Sequence, residues 1–386
     1  MPPPTIYFDY NATTPLDPRV REAMMPFLEA CFGNPSSIHH VGRHARALLD
    51  DCRDRTARVL RCKPSEIVFT SGGTESINLA LQGAARALRP KGNHIITTQV
   101  EHHAVLHTLN YLERREGFRV DRARVDRWGR VNPDDIAKLL TPETTLVSVQ
   151  AANNEIGTLQ PIQEIGRLCR QKGVLFHTDA VQWFGKCSLG KITDLEADMV
   201  SLCAHKFCGP KGAGALWIRS PLRTDPIQFG GGHEDERRAG TENLAGIAGL
   251  VEALERFIPE PVFAETHLRP FVKTLRLALE DLSDLGVRLL TPGEGSLPNT
   301  LSFVVPGSDS LTLLANLDLE GICASSGSAC SVGSLEPSHV VLALGEGTAA
   351  AQSLVRFSLG RETTAAEAEV VAGLLPRLLR RALLPE

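Results

Sequence analysis

Six short apolar runs in the first two-thirds of the chain, EIVFT, HIITT, LVSVQ, VLFHT, MVSLC and GALWI, restrict the fold more than any other feature. They are continuous rather than alternating and rich in β-branched and aromatic residues. Strands of that kind need cover on both faces. Helical patterns starting near Thr74, Ala104 and Ile162 fall between them, giving the βαβ rhythm of a large parallel or mixed sheet. A helix over 241–256 is followed by IPEPVF, whose two prolines break the pattern near Pro259. The remainder reads as a smaller α/β domain, with a helix over 268–285, strands over 301–305 and 354–358, and a last helix over 365–383. Arg377, Arg380 and Arg381 on that last helix read as a solvated face. At 386 residues the chain has room for both domains.

Charge points to no polymer or membrane partner. Hydrophobic residues at 42%, charged residues at 22% and a net charge of -4 leave no footprint for nucleic acid or a lipid surface. The nine cysteines are irregularly spaced and include no CxxC pair. That spacing predicts neither a disulfide framework nor a structural zinc site, and free thiols suit the cytoplasm. The start, MPPPTIYFDY, shows no leader pattern, and no apolar run approaches the roughly 20 residues that span a bilayer.

The chemistry-bearing residues gather where strands end. Ser71, Gly72, Gly73 and Thr74 follow EIVFT and open a helix, either as a phosphate cradle or as a helix start capped by its own Thr74. Asp179 ends VLFHT, in the crevice where open α/β sheets bind ligands; it suits a protonated ring nitrogen, a ribose hydroxyl, a metal or a helix cap. After MVSLC come His205 and Lys206, and burial there favours a neutral amine fit for Schiff-base chemistry. Lys211, between Pro210 and Gly212, is the competing lysine, and spacing does not choose between them. Glu101, His102 and His103 follow HIITT, where an imidazole can act as acid or base or stack on a ring. Neither HH pair has the offset of a helical zinc motif, so no metal is expected. The segment 325–337, SSGSACSVGSLEP, places Cys330 among small residues and predicts a mobile surface arm; alone it is only a solvated loop with a thiol. A phosphate cradle, a carboxylate, an imidazole and a lysine together suit a planar, phosphorylated aldehyde, and pyridoxal phosphate fits all four.

The strings FDYNATTPLDPRV, GNPSS, FTSGGTES, VEHHAVL, NNEIG, HTDAVQ, AHKFCGPKGAGAL, RAGTEN, SSGSACSVGSLEPS and VRFSLGR run in order almost to the end of the chain. They resemble the cysteine desulfurases of the nitrogen-fixation and iron-sulfur-cluster class, within aminotransferase class V. The resemblance implies pyridoxal-phosphate fold type I: a large domain over 15–258 with a mostly parallel seven-stranded sheet flanked by helices. A smaller α/β domain over 1–14 and 259–386 would carry the loop of Cys330.

It further implies that Lys206 rather than Lys211 bonds the cofactor, that Asp179 pairs with its ring nitrogen and that His102 stacks on the ring. Gln182 matches the ligand of the phenolic oxygen. Gly73, Thr74 and His205 match the phosphate cradle, and Thr241 would reach the phosphate in a neighbouring subunit of a homodimer. Asn34, Asn154 and Arg356 match contacts to the substrate carboxylate, for which a planar guanidinium is suited. Two positions depart from the family. Cys203 replaces a serine of the phosphate site and is a weaker donor, for which Ser201 or a water can compensate; His103 stands where lysine is common. The implied reaction removes sulfur from L-cysteine, leaving alanine and a persulfide on Cys330 for an iron-sulfur scaffold or sulfur carrier protein. A selenocysteine lyase and a non-catalytic sulfur-relay protein are the alternatives. The first would not depend on Cys330, and intact Lys206, Asp179, His102 and Arg356 oppose the second.

Overall fold

The computed structural model describes residues 5–327 and 336–383, so Cys330 and most of its predicted arm lie outside the described residues. The strands are β1 (Ile6–Tyr7), β2 (Ile67–Thr70), β3 (His94–Thr98), β4 (Arg119–Ala123), β5 (Thr144–Ser148), β6 (Leu175–Asp179), β7 (Met199–Cys203), β8 (Gly214–Ile218), β9 (Arg288–Leu289), β10 (Thr300–Val304), β11 (Ile322–Cys323) and β12 (Leu354–Ser358). Seven form one sheet in the order β2-β8-β7-β6-β5-β3-β4. Strand β8 runs antiparallel to both of its neighbours, and every other pairing in this sheet is parallel.

Helices cover both faces, which explains the unbroken apolar runs. Phe69, Ile96, Val147, Phe176, Val200 and Trp217 enter one core cluster, while their strand neighbours Val68, Ile95, Leu146, Met199 and Leu216 enter another. Successive side chains of a strand point to opposite faces, so both must be apolar. Strand β4 is the exception that the sequence reading missed. It sits at the sheet edge with Arg119 exposed and Val120 buried, so RVDRA lacks a continuous apolar run. The helices Pro18–Glu29 and His40–Leu60 also precede the region where the rhythm was read.

The C-terminal part is built around the antiparallel sheet β12-β10-β9 and a parallel pair, β1 with β11. Its core joins Ile6, Phe8 and Tyr10 to Phe263, Phe303, Phe357 and Leu375, so the N-terminal segment packs with residues more than half the chain away. Two predicted helix limits shift. The helix expected over 241–256 is Leu244–Phe257, because Asn243 caps it through Gly246 N–H at 3.1 Å. The one expected over 268–285 is Glu265–Glu280; the chain then turns through Ser283–Leu285 to Gly286 at φ 77°, a left-handed conformation favourable to glycine.

Candidate active site

Helix Gly73–Leu88 begins directly beyond β2 without any side-chain cap, so Thr74 is inside the helix and is not its cap. Gly72 takes φ 155° and ψ −174°, a conformation reserved in practice for glycine, and a Cβ built on it would meet nothing within 4 Å. The helix start thus has no side-chain cap, and Thr74 is exposed beside it, an arrangement of the kind that can receive an anion. On Gly73 a Cβ would come within 2.6 Å of Val181 Cγ2, so the cradle closes tightly against the turn after β6.

That cradle is one wall of a cleft of about 820 Å³, open mouth included, at the carboxyl edge of the large sheet. Gly73, Thr74, His102, Asn154, Asp179, Gln182, Cys203, His205, Lys206 and Arg356 all line it, with Asn11, Ala12, Gln150 and Val181 among the others. Asp179 closes β6, and its Oδ1 accepts Val181 N–H at 3.0 Å. Burial pushes this carboxyl up to about 6; the Val181 hydrogen bond and Lys206 act in the opposite direction. A buried carboxyl of this kind is suited to a cationic partner. Lys206 stands in the short turn Ala204–Lys206 after β7, and its Nζ donates to Asn11 O and Ala12 O, each at 2.8 Å. Lys211 lies exposed in a turn and outside the cleft lining.

His102 caps helix His103–Glu116, its Nδ1 accepting Ala104 N–H at 3.0 Å. Burial, then the charges of Lys206 and His103, bring its basicity down to about 4, so the ring is neutral and carries its proton on Nε2. His205 is likewise held down to about 4 by burial and by Lys206 and Lys211, and its Nδ1 lies 3.2 Å from Thr13 Oγ1. Burial raises the Cys203 thiol to about 11, keeping it protonated while the Gly73 and Lys206 N–H groups point to its sulfur. Ser201 does not compensate for it. Its hydroxyl is buried against Ser76 Oγ at 2.8 Å and His177 Nε2 at 3.0 Å, beneath the helix start.

Arg356 enters from β12 and is only 1% exposed. Its Nη1 donates to Asn154 O at 2.9 Å and Gly327 O at 2.6 Å, and its Nη2 to Asp9 Oδ1 at 2.7 Å. The buried Nε has no partner among the described residues. A guanidinium held this way at a cleft wall is of the chemical kind that pairs with carboxylates.

The profile described as Aminotransferase class-V matches residues 6–371. A cysteine desulfurase IscS of Dictyoglomus turgidum is 45% identical over 97% of this chain and 95% of its own length. A putative cysteine desulfurase IscS 1 of Bacillus subtilis is 42% identical over 97% and 99%. The chain belongs to the cysteine desulfurases of aminotransferase class V. Among solved structures, a NifS-like protein superposes with a TM-score of 0.89 at 38% identity, covering 98% of this chain and 100% of that one. A structure titled SspA in complex with cysteine gives 0.80 at 33% identity over 93% and 100%.

Within this desulfurase, two expected site residues stand apart from the cleft of their own chain. Asn34 is exposed, and its Oδ1 accepts Ser36 N–H at 2.9 Å. Thr241 is exposed in a different hollow, beside Ser71 and Arg238. The sequence reading also missed four residues. Asn11, inside the quoted FDYNATT string, joins the cleft to the C-terminal sheet through Thr300 Oγ1 at 2.9 Å and Asn299 Nδ2 at 3.1 Å. Asp9 anchors Arg356, Gln150 lines the cleft and Lys186 lies buried behind it. For Asn11 and Asp9 the signal was their place in that string; a lysine seven residues beyond Asp179 gave none. Among the described residues no group of three or more His, Cys, Asp or Glu is arranged to hold a metal.

Proposed function

We propose that the chain removes sulfur from L-cysteine, releasing L-alanine and leaving the sulfur as a persulfide on Cys330, with pyridoxal phosphate held in the cleft. The observation that carries this reading is the meeting of Lys206, Asp179, the uncapped start of helix Gly73–Leu88 and Arg356 around one cavity. The fit rests on three features: a helix start without a side-chain cap, a buried carboxyl with no ion pair among the described residues, and a guanidinium Nε with no partner among them, each suited to one charged group of cofactor or substrate.

The Thr74 hydroxyl, the helix N–H groups and His205 would hold the phosphate, Asp179 the ring nitrogen, Gln182 the phenolic oxygen, His102 the ring face and Lys206 the aldehyde carbon. Bound there, the group supplies the electron sink for a carbanion at the substrate Cα. Arg356 and Asn154 orient the substrate carboxylate. The Lys206 amine takes the α-proton as general base. Neutral His102, with its proton on Nε2, serves as a donor. The Cys330 thiol has a reference pKa of roughly 8.5 and must lose its proton before it attacks. As the new S–S bond forms, the Cβ–S bond breaks and Cβ gains a proton, so cysteine and thiol become alanine and persulfide.

In this reading the chain works as a homodimer in which Thr241 and Asn34 serve the partner's cleft. Supporting it, Phe32, Ile38 and Phe229 are 78%, 90% and 82% exposed, and Ser36 Oγ lies 3.4 Å from His233 Nε2, so both segments share one face. Two domains, over 15–258 and over 1–14 with 259–386, would close the cleft between them. The persulfide passes to an iron-sulfur scaffold or sulfur carrier protein, and the working compartment is the cytoplasm. No helix among the described residues is long and apolar enough to cross a membrane.

Borohydride reduction of the purified protein followed by peptide mapping tests the core of this reading. The pyridoxyl label is expected on Lys206, with visible absorbance lost in Lys206→Ala. Label on Lys211, or a colourless wild-type protein that still releases alanine from L-cysteine, would overturn it.

A further inference from the structure

Lys186 is a buried amine to which the proposed reaction gives no part. It is 4% exposed, and its hydrogen bonds go to two uncharged side-chain oxygens. Burial strongly disfavours its charge, and the cations Lys206 and Arg356 add to that. A group so costly to bury calls for a reason to be there. Its neighbours give one. Nζ donates to Asn11 Oδ1 at 2.7 Å and to Gln182 Oε1, and it sits 5.2 Å from the centre of the Phe263 ring.

We propose that Lys186 sets the orientation of the Gln182 carboxamide, so that Gln182 offers the cofactor's phenolic oxygen an N–H and never its own oxygen. The inference rests on reading Gln182 as the ligand of that oxygen.

A carboxamide is nearly symmetric in shape, so its direction is decided by what its two ends meet. At the Oε1 end stands Lys186, whose Nζ gives N–H to two side-chain oxygens; as a cation it can only donate, and as a neutral amine it still donates in this arrangement. At the other end Nε2 donates to Asn11 O at 2.9 Å. That restraint alone is weak, because Asn11 O also receives Lys206 Nζ at 2.8 Å. Turning the amide over would set acceptor against acceptor at Asn11 and would take from Lys186 the oxygen to which it donates, with donor facing donor when the amine is charged. The second N–H of Nε2 is then the group that Gln182, a residue of the cleft lining, can give to a ligand. Asn11 is itself fixed: its Nδ2 is committed to Asn154 O at 3.2 Å and Thr300 Oγ1 at 2.9 Å, so its Oδ1 must face Lys186. Lys186 thus acts as a positioning residue, through Gln182.

The test measures cofactor recognition rather than turnover. Full-length protein freed of cofactor is titrated calorimetrically with 4-deoxypyridoxine 5′-phosphate, which has the phenolic oxygen but no aldehyde, and with the same compound lacking the 3-hydroxyl. Wild type is expected to prefer the hydroxylated compound by about 10- to 100-fold, the range for a hydrogen bond to a charged group. Lys186→Met should reduce that preference about tenfold. Lys186→Gln, which can still donate to Gln182 Oε1, should keep most of it and carries the test if the Met variant does not fold. Equal weakening of both compounds in these variants, with the preference intact, would show a purely structural lysine and overturn the proposal. Gln182→Ala separates the two layers: it should abolish the preference, and if it does not, the assignment of Gln182 itself is wrong and the role of Lys186 falls with it.

Discussion

The two sides of the cleft are made differently. On the sheet side, Gly73, Asp179 and Lys206 each stand within a few residues of the end of a strand, and each is held by backbone groups of its own turn or of the N-terminal segment. On the opposite side, Arg356 lies in the middle of β12 and is held by Asp9, 347 residues away, and by the carbonyls of Asn154 and Gly327. The first arrangement follows from the rule that open α/β sheets bind ligands beyond their carboxyl edges. The second exists only when distant segments pack. Under the proposed function the sheet side would supply chemistry and the Arg356 side recognition, and the two should then fail differently.

Substitution of Lys206 should produce the largest effect. Lys206→Ala is expected to lower kcat by about 10³-fold or more, the upper range for a positioned acid-base group, while the protein stays folded. Asp179→Asn keeps an acceptor for Val181 N–H but removes the charge opposite the ring nitrogen. A kcat loss of about 10²- to 10³-fold is expected, with KM for L-cysteine little changed. Both measurements would blur the contrast between the sides if KM rose and kcat did not.

On the recognition side the pattern should reverse. Arg356→Lys loses the planar fork, and KM for L-cysteine should rise about 10- to 100-fold with a smaller change in kcat. Asp9→Asn leaves Arg356 in place but loosens it, so the same KM increase should appear at about 3- to 10-fold. Steady-state kinetics across a cysteine concentration series reads both. If Asp9→Asn cut kcat as deeply as Asp179→Asn, the division between chemistry and recognition would not stand.

The same division explains what could be read before the fold was known. Asp179 was legible because it terminates an apolar run, and a large sheet because six of its strands are unbroken apolar runs; that it has seven strands came from the family resemblance. Strand β4 was not, since an edge strand with Arg119 exposed carries only a partial pattern. The choice between Lys206 and Lys211 was open by spacing; the turn Ala204–Lys206 brings Lys206 to Asn11 and Ala12 in the cleft lining, whereas Lys211 lies outside it. Asp9, Asn11 and Lys186 act through partners set by tertiary packing; the first two were marked only by their place in the FDYNATT string, and nothing local marked Lys186. Ser201 was misjudged because, although it shares a face of β7 with Cys203, its hydroxyl is taken up by Ser76 and His177, which lie far from it in sequence.

A smaller effect distinguishes the sheet interior itself. His177, on β6, bonds Ser148 Oγ at 2.9 Å and Ser201 Oγ at 3.0 Å, and burial lowers it from 6.5 to about 3. Its folded pKa is depressed, so the unfolded chain takes up the proton first as the pH falls. Stability from the neutral ring is complete above about pH 6.5 and is lost toward pH 3. Wild type should lose up to about 2 kcal/mol between pH 6.5 and 5 through this group. His177→Gln should flatten that part of the profile in chemical denaturation, and an unchanged slope would remove His177 as its cause.

The central claim is that sulfur leaves L-cysteine in the Lys206 cleft and is received by Cys330. Mass spectrometry of the peptide containing Cys330, after one turnover with L-cysteine and without reductant, tests it most directly. The expected result is one added sulfur atom on Cys330, matched by one alanine per labelled site and absent from Lys206→Ala. Alanine released with no sulfur on Cys330, or sulfur gained equally by Lys206→Ala, would contradict it.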